Sequence, residues 1–155
     1  MKKVVFICRG NLIRSQIFKA IYNKITDGTS FAEGYGTDVV ADGNEGKKLI
    51  DHKYLAGLIK TMNDHGFDIS QEVSKQLTED EIKDSYEIII MGRRKNIPEW
   101  MNKYNYEYWE DCINGIEKNK DLNLNLKIPS FGDAQDIEET INFLENKVKN
   151  LIKLP

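Results

Sequence analysis

Apolar positions along the chain fall into two kinds of run. Val4-Val5-Phe6-Ile7 is continuous and rich in β-branched and aromatic residues, which predicts a strand buried on both faces of a parallel sheet and ending at Cys8. After Arg9-Gly10-Asn11, the apolar positions Ile17, Ala20, Ile21 and Ile25 recur at helical spacing, with Ser15 as the expected N-cap and Asp27-Gly28 as the stop. Phe31 to Val40, broken by Gly34 and Gly36, reads as a second strand, and the Gly-rich, charged stretch from Asp42 to Lys48 as a surface loop. Leu49, Leu55, Leu58, Ile59 and Met62 mark a helix that stops at His65-Gly66. Thr78 and Glu81 fit a capping box that opens a short helix through Ile82, and Tyr86 to Met91 is a third buried strand.

Pro98 to Met101 reads as a short helical or irregular segment, and the alternation from Tyr104 to Trp109 predicts a fourth strand nearer the sheet edge. Asn114 to Asn125 is polar and aperiodic, a loop or local insertion. Ile137, Ile141, Leu144, Val148, Leu151 and Ile152 then define one face of a closing helix. Strands alternating with helices imply an α/β fold with a parallel sheet covered on both faces. With 155 residues and no internal repeat or linker, residues 1–155 read as one domain.

Composition narrows the choice of partners. A net charge of −3 has the wrong sign for binding along a nucleic-acid backbone, so no nucleic acid is expected. No apolar run approaches the roughly 20 residues of a membrane span, and no signal-peptide cleavage pattern follows the first strand; a cytoplasmic protein without membrane contact is expected. The two cysteines, Cys8 and Cys112, make no disulfide framework, and neither they nor His52 and His65 have metal-site spacing, so the expected chemistry is that of a thiol without metal or cofactor.

The informative segment is Cys8-Arg9-Gly10-Asn11-Leu12-Ile13-Arg14-Ser15, in which a Cys ends a buried strand and Arg-Ser opens a helix. A loop of this length can turn successive N–H groups inward while the helix N-terminus adds its dipole, forming a cradle for a tetrahedral dianion from residues Arg9 to Ile13. Gly10 and Asn11 are suited to the positive φ such a turn requires. The Arg14 fork can grip two oxygens, its positive charge favours a thiolate at Cys8, and the Ser15 hydroxyl can donate to the sulfur. Cys8 is then an in-line nucleophile toward phosphorus. A buried strand thiol beside a surface Arg is the bland alternative; the coincidence of Gly, Asn, Arg and Ser at one strand-to-helix junction argues against it.

Val4 to Ser15 resembles the signature of the low-molecular-weight protein tyrosine phosphatases, which reads Cys, any residue, Gly-Asn, two residues, Arg-Ser after the first strand. Gly66-Phe67-Asp68-Ile69-Ser70, Ser74-Lys75-Gln76-Leu77-Thr78 and Glu87-Ile88-Ile89-Ile90-Met91 are similar to that family's middle region in the expected order. The resemblance implies a three-layer sandwich: a four-stranded parallel sheet with helices on both faces and a phosphate-binding loop after the first strand. It implies that Cys8 forms a phosphocysteine, Arg14 binds the phosphoryl oxygens, Asn11 shapes the loop and Ser15 assists the thiolate. The substrate would be a phosphorylated protein or small phosphomonoester, and the loop would hold phosphate or another oxyanion.

The family's general acid sits in an Asp-Pro pair, and this sequence has none. Ile128-Pro129-Ser130-Phe131-Gly132-Asp133 stands in its place, with Ser130, a poor acid, at the acid position; Asp133 is the preferred candidate, with Asp136 and Asp111 as alternatives. Asp136 equally suits the N-cap of the closing helix. Phe131, with Tyr108 or Trp109, could line the mouth and stack on an aromatic leaving group, although such aromatics more often pack in cores. Arg93-Arg94-Lys95 could attract phosphorylated substrate, and Arg9 could favour acidic ones. Two other readings stay open: arsenate reduction through Cys8 and Cys112, and a phosphate-binding pseudo-phosphatase without an efficient acid. Ile13 stands where some relatives carry a second loop cysteine, so protection by a loop disulfide is not expected.

Overall fold

The computed structural model describes residues 2–26, 28 and 30–109, together with positions 142, 146, 149 and 150. Four strands, β1 (Lys2–Cys8), β2 (Ser30–Gly36), β3 (Glu87–Ile90) and β4 (Glu107–Tyr108), form one sheet in the order β2-β1-β3-β4, and every pairing is parallel. The register sets Cys8 opposite Gly36 and Ile7 opposite Ile90, so Cys8 ends the strand that has a neighbour on each side. This is the α/β fold with a four-stranded parallel sheet that the alternation and the resemblance predict.

The continuous apolar run of β1 follows from this central position, because alternate side chains enter different cores. Val4 and Phe6 join α1 (Arg14–Ile25) and α2 (Ala56–Asp64) through Ile17, Phe18, Ile21, Leu58 and Met62. Val5 and Ile7 join Ile88, Ile90, Leu77, Met101 and Ile82 of the short helix α3 (Glu79–Ile82) on the other face. Phe6 and Phe18 stack with centroids 5.2 Å apart, and the Trp109 ring closes this cluster at 6.2 and 5.4 Å from them. Burying side chains of this size stabilises the fold by about 1.5–3 kcal/mol each, and it anchors the strand that presents Cys8.

Several local expectations are corrected. Ser15 is not the N-cap of α1: the helix begins at Arg14, and Ser15 lies buried within its first turn. The second strand stops at Gly36, and Val39 and Val40 belong to the turn beyond it. The helix expected from Leu49 is two 3₁₀ turns, Leu49–Asp51 and Lys53–Leu55, before α2, which ends at Asp64 with His65 as its C-cap and Gly66 beyond it at φ +87°, the stop expected. Thr78 occupies the N-cap of α3 without a side-chain bond; Glu81 instead accepts a hydrogen bond from the Tyr35 hydroxyl at 3.0 Å, so no capping box forms. Pro98 caps a 3₁₀ helix over Glu99–Lys103, and the fourth strand has contracted to Glu107–Tyr108.

Asn142, Asn146, Lys149 and Asn150 are helical and exposed, which fits the polar side of the predicted closing helix. Its apolar positions, the 114–125 segment, Asp111, Cys112, Phe131, Asp133 and Asp136 lie outside the described residues. Among the described residues, no helix is long and apolar enough to cross a membrane, and no group of three or more His, Cys, Asp or Glu side chains could hold a metal ion.

Candidate active site

Residues 9–13 connect the end of β1 to the start of α1, so the turn must reverse within five residues between two packed elements. Asn11 makes this possible by adopting φ 51°, a left-handed conformation open to Asn at small cost. The turn brings the Asn11 N–H to 3.3 Å from the Cys8 Sγ and the Ser15 hydroxyl to 3.1 Å from it. Cys8 is only 2% exposed, yet its sulfur faces polar donors and not hydrocarbon alone.

The direction of these bonds follows from what each group can give. The Asn11 Nδ2 donates to the Ser15 Oγ at 2.6 Å, which occupies an acceptor site and directs the hydroxyl hydrogen toward sulfur. Asn11 Oδ1 accepts from the Lys75 N–H at 2.9 Å and from the Gln16 amide at 3.2 Å, so the Asn amide cannot rotate without losing three bonds. Gln16 also donates to the Asn11 and Val73 carbonyls, each at 3.1 Å, and Ser74 Oγ donates to the Asn11 carbonyl at 3.1 Å. The arrangement is a chain of hydrogen bonds that ends on the Cys8 sulfur.

Arg14 reaches toward the neighbouring strand, where its Nη1 donates to the Met91 carbonyl at 2.6 Å, just past β3. Two glycines allow the loop to lie this close to its neighbours. A Cβ at Gly36 would stand 2.6 Å from the Arg9 carbonyl oxygen and 2.8 Å from the Asn11 nitrogen; one at Gly34 would stand 3.1 Å from Asn11 Nδ2. On the far side, a Cβ at Gly92 would meet the Cys8 carbonyl carbon at 3.7 Å, ordinary contact.

Thus Cys8, Asn11 and Ser15 come together through hydrogen bonds, Arg14 is tied to Met91, and Gly10, Leu12 and Ile13 complete the turn. Arg9 is different: its Nε lies 3.1 Å from Asp38 and its Nη2 3.6 Å from Asp42, so two carboxylates counter the charge expected to draw acidic substrates. Trp109 packs on Phe6 and Phe18, and Tyr108 carries the Arg94 guanidinium over its ring at 3.9 Å. Gln16, Ser74 and Lys75 were not among the expected site residues. The Ser74-Lys75 stretch carries a family likeness, but no local periodicity ties it to a loop some 60 positions earlier, and Gln16 has the appearance of an ordinary helix residue.

The family model for low molecular weight phosphotyrosine protein phosphatase matches residues 3–154. No curated protein sequence gives a match. Among solved structures, the fold is similar to a low molecular weight protein tyrosine phosphatase from Streptococcus pyogenes, at 21% identity and TM-score 0.68 over 98% of this chain and 91% of that one. It is similar to the corresponding enzyme from T. tengcongensis at 20% identity and TM-score 0.67, over 99% of each chain. It is also similar to a thioredoxin-dependent arsenate reductase from Corynebacterium glutamicum, at 21% identity and TM-score 0.63 over 99% of this chain and 61% of that one. The structural likenesses concern the fold, whereas the family match spans nearly the whole sequence: the chain belongs to the low molecular weight phosphotyrosine protein phosphatase family.

Proposed function

We propose that this protein, as one domain over residues 1–155, is a cytoplasmic phosphomonoester hydrolase of the protein tyrosine phosphatase type that works through a phosphocysteine. The observation that carries the reading is the Cys8 sulfur, held at the end of the central strand by the Ser15 hydroxyl at 3.1 Å and the Asn11 N–H at 3.3 Å. In the first step the Cys8 thiolate attacks phosphorus in line with the ester oxygen; the S–P bond forms, the P–O bond breaks, and the departing oxygen takes a proton from Asp133. Water then attacks phosphorus, giving its proton to the same carboxylate, and the thiolate leaves. Arg14 and the N–H groups of residues 9–13 neutralise the equatorial oxygens, which carry most of the charge in the transition state. Leu12 and Ile13 flank the phosphoryl group, and Phe131 stacks on an aromatic leaving group.

The test is release of phosphate from an aryl phosphate. The Cys8→Ser protein should be folded by circular dichroism and inactive; unchanged turnover would end the reading. The Asp133→Ala protein should lose about 10²- to 10⁴-fold on phosphotyrosine and much less on p-nitrophenyl phosphate, whose leaving group needs little protonation. Equal losses on both substrates would remove Asp133 from the acid role and leave Asp111 and Asp136 to be tested alike. Arsenate reduction requires a resolving thiol, and Cys112 is the chain's only other cysteine; loss of two thiols per chain after arsenate exposure would favour it over hydrolysis.

A further inference from the structure

The two turns that leave the sheet beside Cys8 carry opposite charge, and the strand order puts them on opposite sides. Since β2 and β3 flank β1, the turn after β2 (residues 37–42) and the turn after β3 (residues 91–96) rise on either side of the thiol. The first is fastened by the Thr37 N–H donating to the Cys8 carbonyl at 3.0 Å and the Asp38 N–H donating to the Arg9 carbonyl at 2.9 Å. The second is fastened by the Met91 N–H donating to the Ile7 carbonyl at 2.7 Å and by Arg14 on the Met91 carbonyl.

On the first side, Asp38 and Asp42 close on Arg9, and two carboxylates against one guanidinium leave a net negative charge. Tyr54 lies beside them, its phenol pushed up by burial and then by Asp42. On the second side, Arg93, Arg94 and Lys95 are all exposed, and no carboxylate occurs from Met91 to Pro98. The Arg94 guanidinium rests on Tyr108, which pairs with Ile90, so this cation stands at the same end of the sheet as Cys8. The flanking strands are two strand spacings apart, about 10 Å, comparable to the screening length in physiological salt of roughly 8 Å. A group seated at Cys8 therefore feels both fields.

We propose that the substrate is a phosphorylated polypeptide carrying a basic residue on one side of its phosphorylated residue and an acidic residue on the other, the basic one facing Asp38 and Asp42 and the acidic one facing Arg93, Arg94 and Lys95. The proposal rests on the phosphatase reading above and sharpens its substrate class. Binding energy from the flanks orients the chain across the mouth, and a small phosphomonoester gains nothing from either side.

Two phosphotyrosine peptides of identical composition test this, one with lysines before and glutamates after the phosphorylated residue and the other reversed, with p-nitrophenyl phosphate as a substrate lacking flanks. One order should be hydrolysed about 5- to 10-fold more efficiently in kcat/KM at low salt, the ratio falling toward one at about 0.5 M salt. The ratio should also fall in the Asp38→Asn/Asp42→Asn protein and in the Arg93→Gln/Lys95→Gln protein. Because the ratio is taken within each protein, losses common to both peptides cancel; should one variant fail to fold, the other and the wild-type salt series still decide. Equal rates for the two orders with p-nitrophenyl phosphate hydrolysed, or a ratio unmoved by salt and by both substitutions, would overturn the proposal while sparing the phosphatase reading. Failure to hydrolyse any of the three would overturn that reading, and the proposal with it.

Discussion

Asn11 commits both ends of its side chain, giving a hydrogen bond to Ser15 and accepting from Lys75 and Gln16, while its backbone holds φ 51°. Asn11→Ala leaves those buried partners unsatisfied and places a residue with no local compensation in the left-handed region. Urea unfolding should show a loss of about 2–4 kcal/mol, and kcat/KM on an aryl phosphate should fall at least about tenfold, since Ser15 is no longer oriented toward the sulfur. Gln16→Leu removes three donor contacts without touching the loop sequence and should cost about 1–3 kcal/mol. At this scale the sequence is informative where the chemistry is contiguous. Cys8, Asn11, Arg14 and Ser15 can be read from one stretch of eight residues, whereas the braces from Ser74 and Lys75 reach the loop only through the fold. Arg9 was legible as a cation but not as one already held by Asp38 and Asp42, some 30 positions on.

Among the elements, β2 teaches the most. Its glycines read in the sequence as interruptions, yet Gly34 and Gly36 are where the turn between β1 and α1 nests against the strand. Gly36→Ala should therefore be costly for a reason unrelated to strand propensity: its Cβ would meet backbone atoms of Arg9 and Asn11, which have little freedom to retreat. A loss of about 1–3 kcal/mol in thermal or urea unfolding is expected, together with reduced phosphatase activity. Trp109 shows the converse. Read from the sequence as a lining of the mouth, it packs its half-buried ring on Phe6 and Phe18, and Trp109→Ala should cost about 2–3 kcal/mol. Long buried strands and α1 were legible because burial dictates their residue types, and the alternation located β4 without its length; the 3₁₀ turns before α2 were not legible, because they are too short for their period to declare itself.

For the whole molecule, pH acts through carboxylates in opposite senses. Glu87, at the start of β3, has its carboxyl raised above the usual range by burial and then by Glu107. Its contribution to stability is present below the unfolded value and lost as pH rises through the folded one. Glu87→Gln should thus raise the melting temperature at pH 7 by more than at pH 4, and an equal gain at both would contradict this. Glu79 is lowered by hydrogen bonds from Lys103 and Tyr104, so its contribution runs the other way, present above the unfolded value and lost as pH falls through the folded one.

The all-parallel pairing has one more consequence, for synthesis. No strand can zip onto its neighbour through a hairpin, and β1 waits for β3, some 80 residues downstream, before both its edges are covered. At a translation rate of about 5–20 residues per second, the sulfur of Cys8 spends roughly 4–16 seconds outside the ribosome without its finished enclosure. The proposed nucleophile is made early and sheltered late, so the nascent chain passes through an interval in which that sulfur is open to solvent before the pocket around it is complete.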